Sequence, residues 1–458
     1  MSTVTKSVVL DETARETNNI LRQIRNAISG NKVGTRYAFH IDPSESDPSA
    51  AVTYLADAVG MTPAYMDFAN NKFYWGTWGS AFFLPRPCML KYDGTVDYYL
   101  DPNDYTKKAD GSASDIANLS YEGNAMMEWG RDGKLIYYKI VPDQDTKGAT
   151  VYIADYFEDE DYKFYSFINS ASGICEHFYT PIFDGYYDGT RQRSMSGVVP
   201  TTGANAATER TRCRANGADI WDTEVYCDIT LVNLLLILMG KSLNTEDVFG
   251  QGLTTGGTQE INAGFNTGVH NTKGMFYGTN SGDASNYQNA VKVFGMENWW
   301  GYTWRRIGGL VAVDNTIKYK MTRCDFDGTD LDDYVITAVV ADYANYLEAN
   351  VAPAAGYVKS MEFDENQLAP VETGGNASTY YADYFYINAE GVRYAGRGGS
   401  SNNGANCGAF YVNLNNAPSN ANWNIAASLM IWLYLAVIKE NCIIWSEIYA
   451  HIWQMNWD

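Results

Sequence analysis

Nine of the 23 residues from Asn402 to Asn424 are asparagine: Asn402, Asn403, Asn406, Asn413, Asn415, Asn416, Asn420, Asn422 and Asn424. Asparagine is a poor strand and helix former whose amide both donates and accepts hydrogen bonds. The segment is spaced by Phe410, Val412, Leu414, Trp423, Ile425 and Leu429, so it reads as an exposed recognition surface pinned by hydrophobic anchors. The same composition also fits a plain polar loop, because Asn, Gly and Ser clusters mark turns. On the first reading its chemistry is hydrogen bonding to a ligand.

Residue types that break bonds are present but scattered. His40, His177, His270 and His451 lie far apart, with no HExxH or HxH pair. The seven cysteines occur singly without a CxxC, which indicates neither a zinc ribbon nor a redox motif and reads as reduced core thiols. Asp325-Phe326-Asp327-Gly328-Thr329-Asp330-Leu331-Asp332-Asp333 carries oxygens suited to calcium, but it misses the EF-hand register and lacks the terminal Glu. It reads as a solvated acidic loop. Glu158-Asp159-Glu160-Asp161 are neighbours that face solvent, giving a glycosidase only generic support. No P-loop or dinucleotide fingerprint occurs, so no catalytic residue, metal ligand or cofactor is assigned.

The elements that must position the Asn-rich segment are partly legible. At 458 residues the chain has length for two or three domains. Residues 10–28 predict a helix with a short seam of Ala14, Leu21, Ile24 and Ile28, suited to joining subunits or packing on the next domain. Aromatic runs broken by Gly and Pro from about 36 to 120 predict strands joined by turns, and 121–185 adds runs such as Leu135–Tyr138 and Val151–Ile153. Residues 226–242 predict a buried helix whose apolar run, Leu231 to Met239, is too short to span a bilayer. Trp299, Trp300 and Trp304 predict a dense core ridge. The apolar runs Met430–Ile438 and Cys442–Trp453 read as a buried hairpin or as a tail displaced from its ancestral reading frame.

Charge narrows the partners. Thirty-three basic residues against 54 acidic ones leave −21, which opposes binding to nucleic acid and to anionic membrane surfaces. The N-terminus has no apolar core of a secretory signal.

Several motifs then converge. Gly295-Met296-Glu297-Asn298-Trp299-Trp300, with Trp304 close behind, is followed by Arg397-Gly398-Gly399-Ser400 and the Asn-rich segment. This resembles the formylglycine-generating-enzyme branch of the C-type lectin fold, although Ser401 stands where a Trp is expected. Residues 47–68, 86–118, 123–129 and 238–252 resemble tail-associated proteins of gut bacteriophages and prophages, a likeness covering about 37–429. The resemblance implies a non-catalytic receptor-binding protein or adhesin in the virion tail, assembled in the host cytoplasm. Its ligand would be a bacterial surface protein or glycan, and its neighbours would be other tail proteins in a homo-oligomer such as a trimer.

The Asn-rich segment resembles the target repeat of a diversity-generating retroelement, which mutates adenines in AAC-type codons. On that resemblance the nine asparagines and Tyr411 are ligand contacts. Trp299, Trp300, Trp304, Arg397, Gly398, Gly399, Phe410, Leu414 and Trp423 are fixed scaffold. The oxidase activity of the branch needs a copper-binding cysteine pair, which Cys407 lacks in sequence. A surface-polysaccharide-cleaving enzyme, a lectin-fold oxidase and a purely structural virion protein are the alternatives.

The expected fold is α+β. It comprises an attachment helix (1–36), a small β-rich domain (37–120), a C-type lectin-like domain (121–429, variable at 397–429) and an apolar extension (430–458).

Overall fold

The computed structural model describes residues 34–169, 173–218, 220–313, 316–321, 335–336, 355–362, 369–387 and 390–432. The expected helix at 10–28, the acidic loop at 325–333 and residues 433–458 lie outside them. Among the described residues strand far outweighs helix, so the α+β expectation holds only in its coarse form.

Three sheets organise the chain. The first is antiparallel, in the order Val52–Ala56, Arg36–Ile41, Ala149–Ala154, Tyr137–Pro142, with Phe39 opposite Val151. The second runs Trp221–Thr223, Leu429–Trp432, Phe178–Pro181, Gly123–Trp129, Arg86–Lys91, Val96–Asp101, Asp104–Lys108. All seven residues of Gly123–Trp129 are buried, and its one acidic side chain, Glu128, receives Arg86 at 2.6 Å and the Tyr179 hydroxyl at 2.9 Å. The third is built on Trp304–Val313, which pairs with Val392–Arg397; that strand pairs with Val412–Leu414.

Two expectations change here. The boundary at 120 divides neither of the first two sheets, because Arg36–Ile41 pairs with Ala149–Ala154 and Arg86–Lys91 pairs with Gly123–Trp129. Residues 430–432, where the apolar extension is expected to begin, belong to a strand. Leu429–Trp432 is an interior strand, bonded on one side to Phe178–Pro181 and on the other to Trp221–Thr223. Leu429, Met430 and Ile431 are fully buried, and a strand covered on both faces needs an uninterrupted apolar run.

The helix predicted at 226–242 spans Tyr226–Gly240, and all fifteen of its residues are buried. A helix apolar all round must be covered all round. Its last carbonyls need partners, and the N-terminal segments supply them. The Tyr54 hydroxyl donates to the Leu238 carbonyl at 2.6 Å, and the Ala64 amide donates to the Met239 carbonyl at 2.8 Å. Lys241 ends the helix in the left-handed region, at φ 51°. Among the described residues no helix is long and apolar enough to cross a membrane.

Candidate functional site

The site is assembled around the turn that follows Val392–Arg397. Arg305 and Arg397 face each other across the third sheet, and both are buried. A buried guanidinium is tolerated only with partners of matching charge and geometry. Arg397 Nη2 donates to both oxygens of Glu224, at 3.0 and 2.8 Å, Nη1 donates to the Trp299 carbonyl at 2.6 Å, and the guanidinium lies 3.7 Å from the Trp299 ring centre. Arg305 Nη2 reaches Asp184 at 2.7 Å and the Glu297 carbonyl at 2.6 Å, while Nη1 sits 3.6 Å from Glu224. Asn298 Nδ2 donates to the second oxygen of Asp184 at 2.7 Å.

Two cations and two carboxylates thus balance in a closed interior. Burial pulls the Arg397 guanidinium down to about 10, against the pull of Glu224, so it stays charged at neutral pH. Burial pushes the Asp184 carboxyl up, and Arg305 opposes that shift.

Most of the motif residues lie in the interior. Trp299, Trp300, Trp304, Arg397 and Phe410 are all buried. Gly398 and Gly399 adopt φ of 81° and 83°, the left-handed region that only glycine enters without strain. A Cβ at Gly399 would overlap the Cys407 sulfur.

Beyond the turn, Ser400 is fully buried and gathers three of the asparagines. Its hydroxyl lies 2.7 Å from Asn402 Oδ1 and 2.6 Å from Asn403 Oδ1, with one proton to share, and Asn424 Nδ2 donates to it at 3.2 Å. A second group forms further along, where Asn420 Nδ2 donates to Asn416 Oδ1 at 2.7 Å and Asn413 Oδ1 accepts the Asn415 amide at 2.7 Å. Asn413 stands on the strand Val412–Leu414 opposite Gly396, so it belongs to the sheet and not to a loop.

None of the nine asparagines is buried. Asn402 and Asn422 are exposed, and Asn403, Asn406, Asn413, Asn415, Asn416, Asn420 and Asn424 are half-buried. Among the described residues, the side chains of Asn406, Asn415 and Asn422 make no hydrogen bond to the protein; only their backbone groups do. Their amides keep full capacity for a ligand.

Two aromatics sit differently from the burial their expected roles suggest. Tyr411, expected as a ligand contact, is 4% exposed, because its ring packs edge-on against Trp304 with centroids 4.6 Å apart. Its carbonyl accepts the Gly398 amide, tying it to the frame. Trp423, expected as fixed scaffold, is half-buried and is not among the residues packed on the buried clusters.

Under the segment lies a pair that sequence reasoning missed. Glu246 and Asp383 are both buried, and Glu246 Oε1 and Asp383 Oδ1 come together beside Gly408. Asp383 Oδ2 accepts the Phe410 amide at 2.6 Å, and neighbouring Thr245 Oγ1 accepts the Ala409 amide at 3.3 Å. Burial pushes the Glu246 carboxyl up to about 8, and burial together with Glu246 pushes Asp383 well up, so the pair retains a proton at neutral pH. A Cβ at Gly408 would overlap both carboxyls. Burial also pushes the Cys407 thiol well up, and its sulfur donates to the Ser400 carbonyl at 3.4 Å. That protonated, enclosed thiol is a structural group.

Asn233 was missed too, although a lone amide inside an apolar helix was a signal. Its Nδ2 donates to the Ala409 carbonyl at 2.6 Å and its Oδ1 accepts from Trp299 Nε1 at 3.0 Å. The buried helix is thereby tied to both the tryptophan ridge and the Asn-rich segment. Glu224, Asp184, Glu246 and Asp383 gave no such signal.

No family model matches the chain, and no curated protein matches it. Among solved structures the chain is similar to the Major Tropism Determinant U1 Variant at 14% identity and a TM-score of 0.29, covering 77% of this chain and 73% of that one. It is similar to the P3c Variant at 12% identity and a TM-score of 0.27, covering 88% and 73%. For the M1 Variant the values are 12% and 0.27, covering 87% and 73%. At these values no residue role is transferred from those proteins to this chain.

Proposed function

We propose that this chain is a phage tail receptor-binding protein that captures a bacterial surface protein or glycan through side chains of residues 402–424, without catalysis. The observation that carries the reading is the contrast within one short segment. Arg397, Ser400, Phe410 and Tyr411 are buried and bonded, while between and after them nine asparagines all reach solvent to some degree. A frame fixed by packing and charge, carrying side chains that contribute little to stability, is the arrangement in which specificity changes without unfolding.

On this reading the sheet built on Trp304–Val313 belongs to a C-type lectin-like frame, the motif turn anchors the segment and the asparagines are its exchangeable contacts. Several copies on one virion raise the effective concentration, so weak single contacts suffice for attachment.

The test is attachment of the purified chain to intact bacteria of its host. Replacing Asn406, Asn415 and Asn422 together by alanine is expected to weaken binding by about tenfold or more, the equivalent of ~1.4 kcal/mol, with the melting temperature unchanged. Undiminished attachment by a folded triple variant would remove the segment from the binding role.

A further inference from the structure

Away from the Asn-rich segment, a solvent-open cleft of about 1110 Å³ is walled by residues from separate stretches of chain: 71–87, 99–109, Arg131 and 272–277. None of its lining residues belongs to 397–432. It is larger than the ~300–1,000 Å³ sites that enclose small molecules, which suits an extended ligand.

Its charge runs against the rest of the protein. The chain carries 54 acidic and 33 basic residues, yet the lining includes Lys72, Arg86, Arg131 and Lys273 and no aspartate or glutamate. Arg86 is committed to Glu128 at 2.6 Å and Arg131 to Asp132 at 3.2 Å. Lys72 and Lys273 are exposed and in no ion pair among the described residues; each lies beside a tyrosine ring, at 5.1 Å from Tyr74 and 4.9 Å from Tyr277. These two ammonium groups are the cleft's cations held in no ion pair among the described residues, although Asp67 stands opposite Lys72 across its hairpin.

The cleft also has an ordered aromatic lining. Phe73 stacks on Phe276 at 4.5 Å, and Trp75 stands edge-on to both, at 5.1 and 5.4 Å. Trp75 and Phe73 are half-buried, so ring surface remains for a ligand. Asn71, Thr77, Ser80, Asn103 and Thr272 add neutral hydrogen-bonding groups.

We propose that this cleft is a second binding site, for an acidic polysaccharide whose carboxylates pair with Lys72 and Lys273 while its sugar faces lie on the Trp75 wall. Rings suit the apolar faces of sugars, neutral amides and hydroxyls suit their hydroxyls, and the lysines select the anionic polymers. Nucleic acid has a far denser line of charge, one per ~1.7 Å of duplex, and the −21 of the whole chain repels it. A polysaccharide with one carboxylate per sugar or fewer meets the local lysines at lower long-range cost.

The test is retention of the full chain on immobilised polygalacturonate, alginate and polysialic acid, with dextran as the neutral polymer. Retention on at least one acidic polymer, absent on dextran and weakened by salt, is expected. The double variant Lys72→Glu with Lys273→Glu should lose about tenfold or more of that affinity while melting as the parent does. The Asn406, Asn415 and Asn422 alanine variant should keep it, which separates this site from the one at 402–424. No retention on any of the three acidic polymers, equal retention on dextran, or full retention by the folded lysine variant would overturn the proposal.

Discussion

Replacing Arg397 by methionine is expected to destabilise the folded chain by about 3–5 kcal/mol, the usual loss when one partner of a buried ion pair is removed. Methionine approximates the stem of the side chain but leaves Glu224 with no bidentate donor, the Trp299 carbonyl without its 2.6 Å donor and the indole face without its cation. Lysine at the same position should recover only part of the loss, because a point charge replaces the planar fork. Denaturant unfolding of the parent, Arg397→Met, Glu224→Gln and the double variant measures the effect. The double variant should lie well above the sum of the two singles, since removing both charges leaves neither orphaned. Additive losses would mean that Arg397 acts through packing alone.

The second large effect is on pH. The Glu246 carboxyl is raised to about 8 in the folded chain by burial, from an ordinary value near 4.5, and Asp383 is raised with it. The folded state therefore binds more protons than the unfolded one between those values, so stability falls as pH rises. The contribution is complete below about 4.5, declines through the neutral range and is lost above about 8. Glu246→Gln keeps the shape and supplies an N–H to Asp383 without a titrating proton. It should match or trail the parent at pH 5 and exceed it at pH 9 by something on the order of 2–4 kcal/mol.

Glu209 and Asp222 are also raised by burial, to about 7 and about 6, so the parent's slope has several sources. The difference between parent and variant isolates Glu246. Parallel stability curves from pH 5 to 9 would show that the pair does not hold its proton. Ionisation of the pair sets two carboxylates against each other beside Gly408, which should also loosen the turn at 408–411 beneath the Asn-rich segment.

The parts of this molecule legible in its sequence are those decided locally. The helix Tyr226–Gly240 was visible because an apolar run admits few alternatives, and the tryptophan ridge because three indoles in six positions need a core. The glycines of the motif turn were visible by type. What was hidden depends on partners distant in sequence: Arg397 meets Glu224 from 173 residues away, and Phe410 meets Asp383 across a separate strand.

The contrasting burial of Tyr411 and Trp423 has the same cause. Both are amphipathic aromatics, and Tyr411 is enclosed by partners distant in sequence, Trp304 and Tyr384. Leu429–Trp432 was not legible as a strand, because a strand buried on both faces has no alternation to distinguish it from a helix.

The claim that organises this account is that residues 402–424 carry exchangeable side chains on a frame that does not change. Sequencing the coding DNA around codons 395–435, with a few kilobases on either side, tests it most directly. A near-repeat beside a reverse-transcriptase gene, differing at adenines, is the expected result. Its differences should fall on codons for solvent-reaching residues such as Asn402, Asn406, Asn415 and Asn422 and spare those for Arg397, Gly398, Gly399, Phe410, Tyr411 and Leu414. The absence of a second repeat, or differences concentrated on the buried codons, would contradict it.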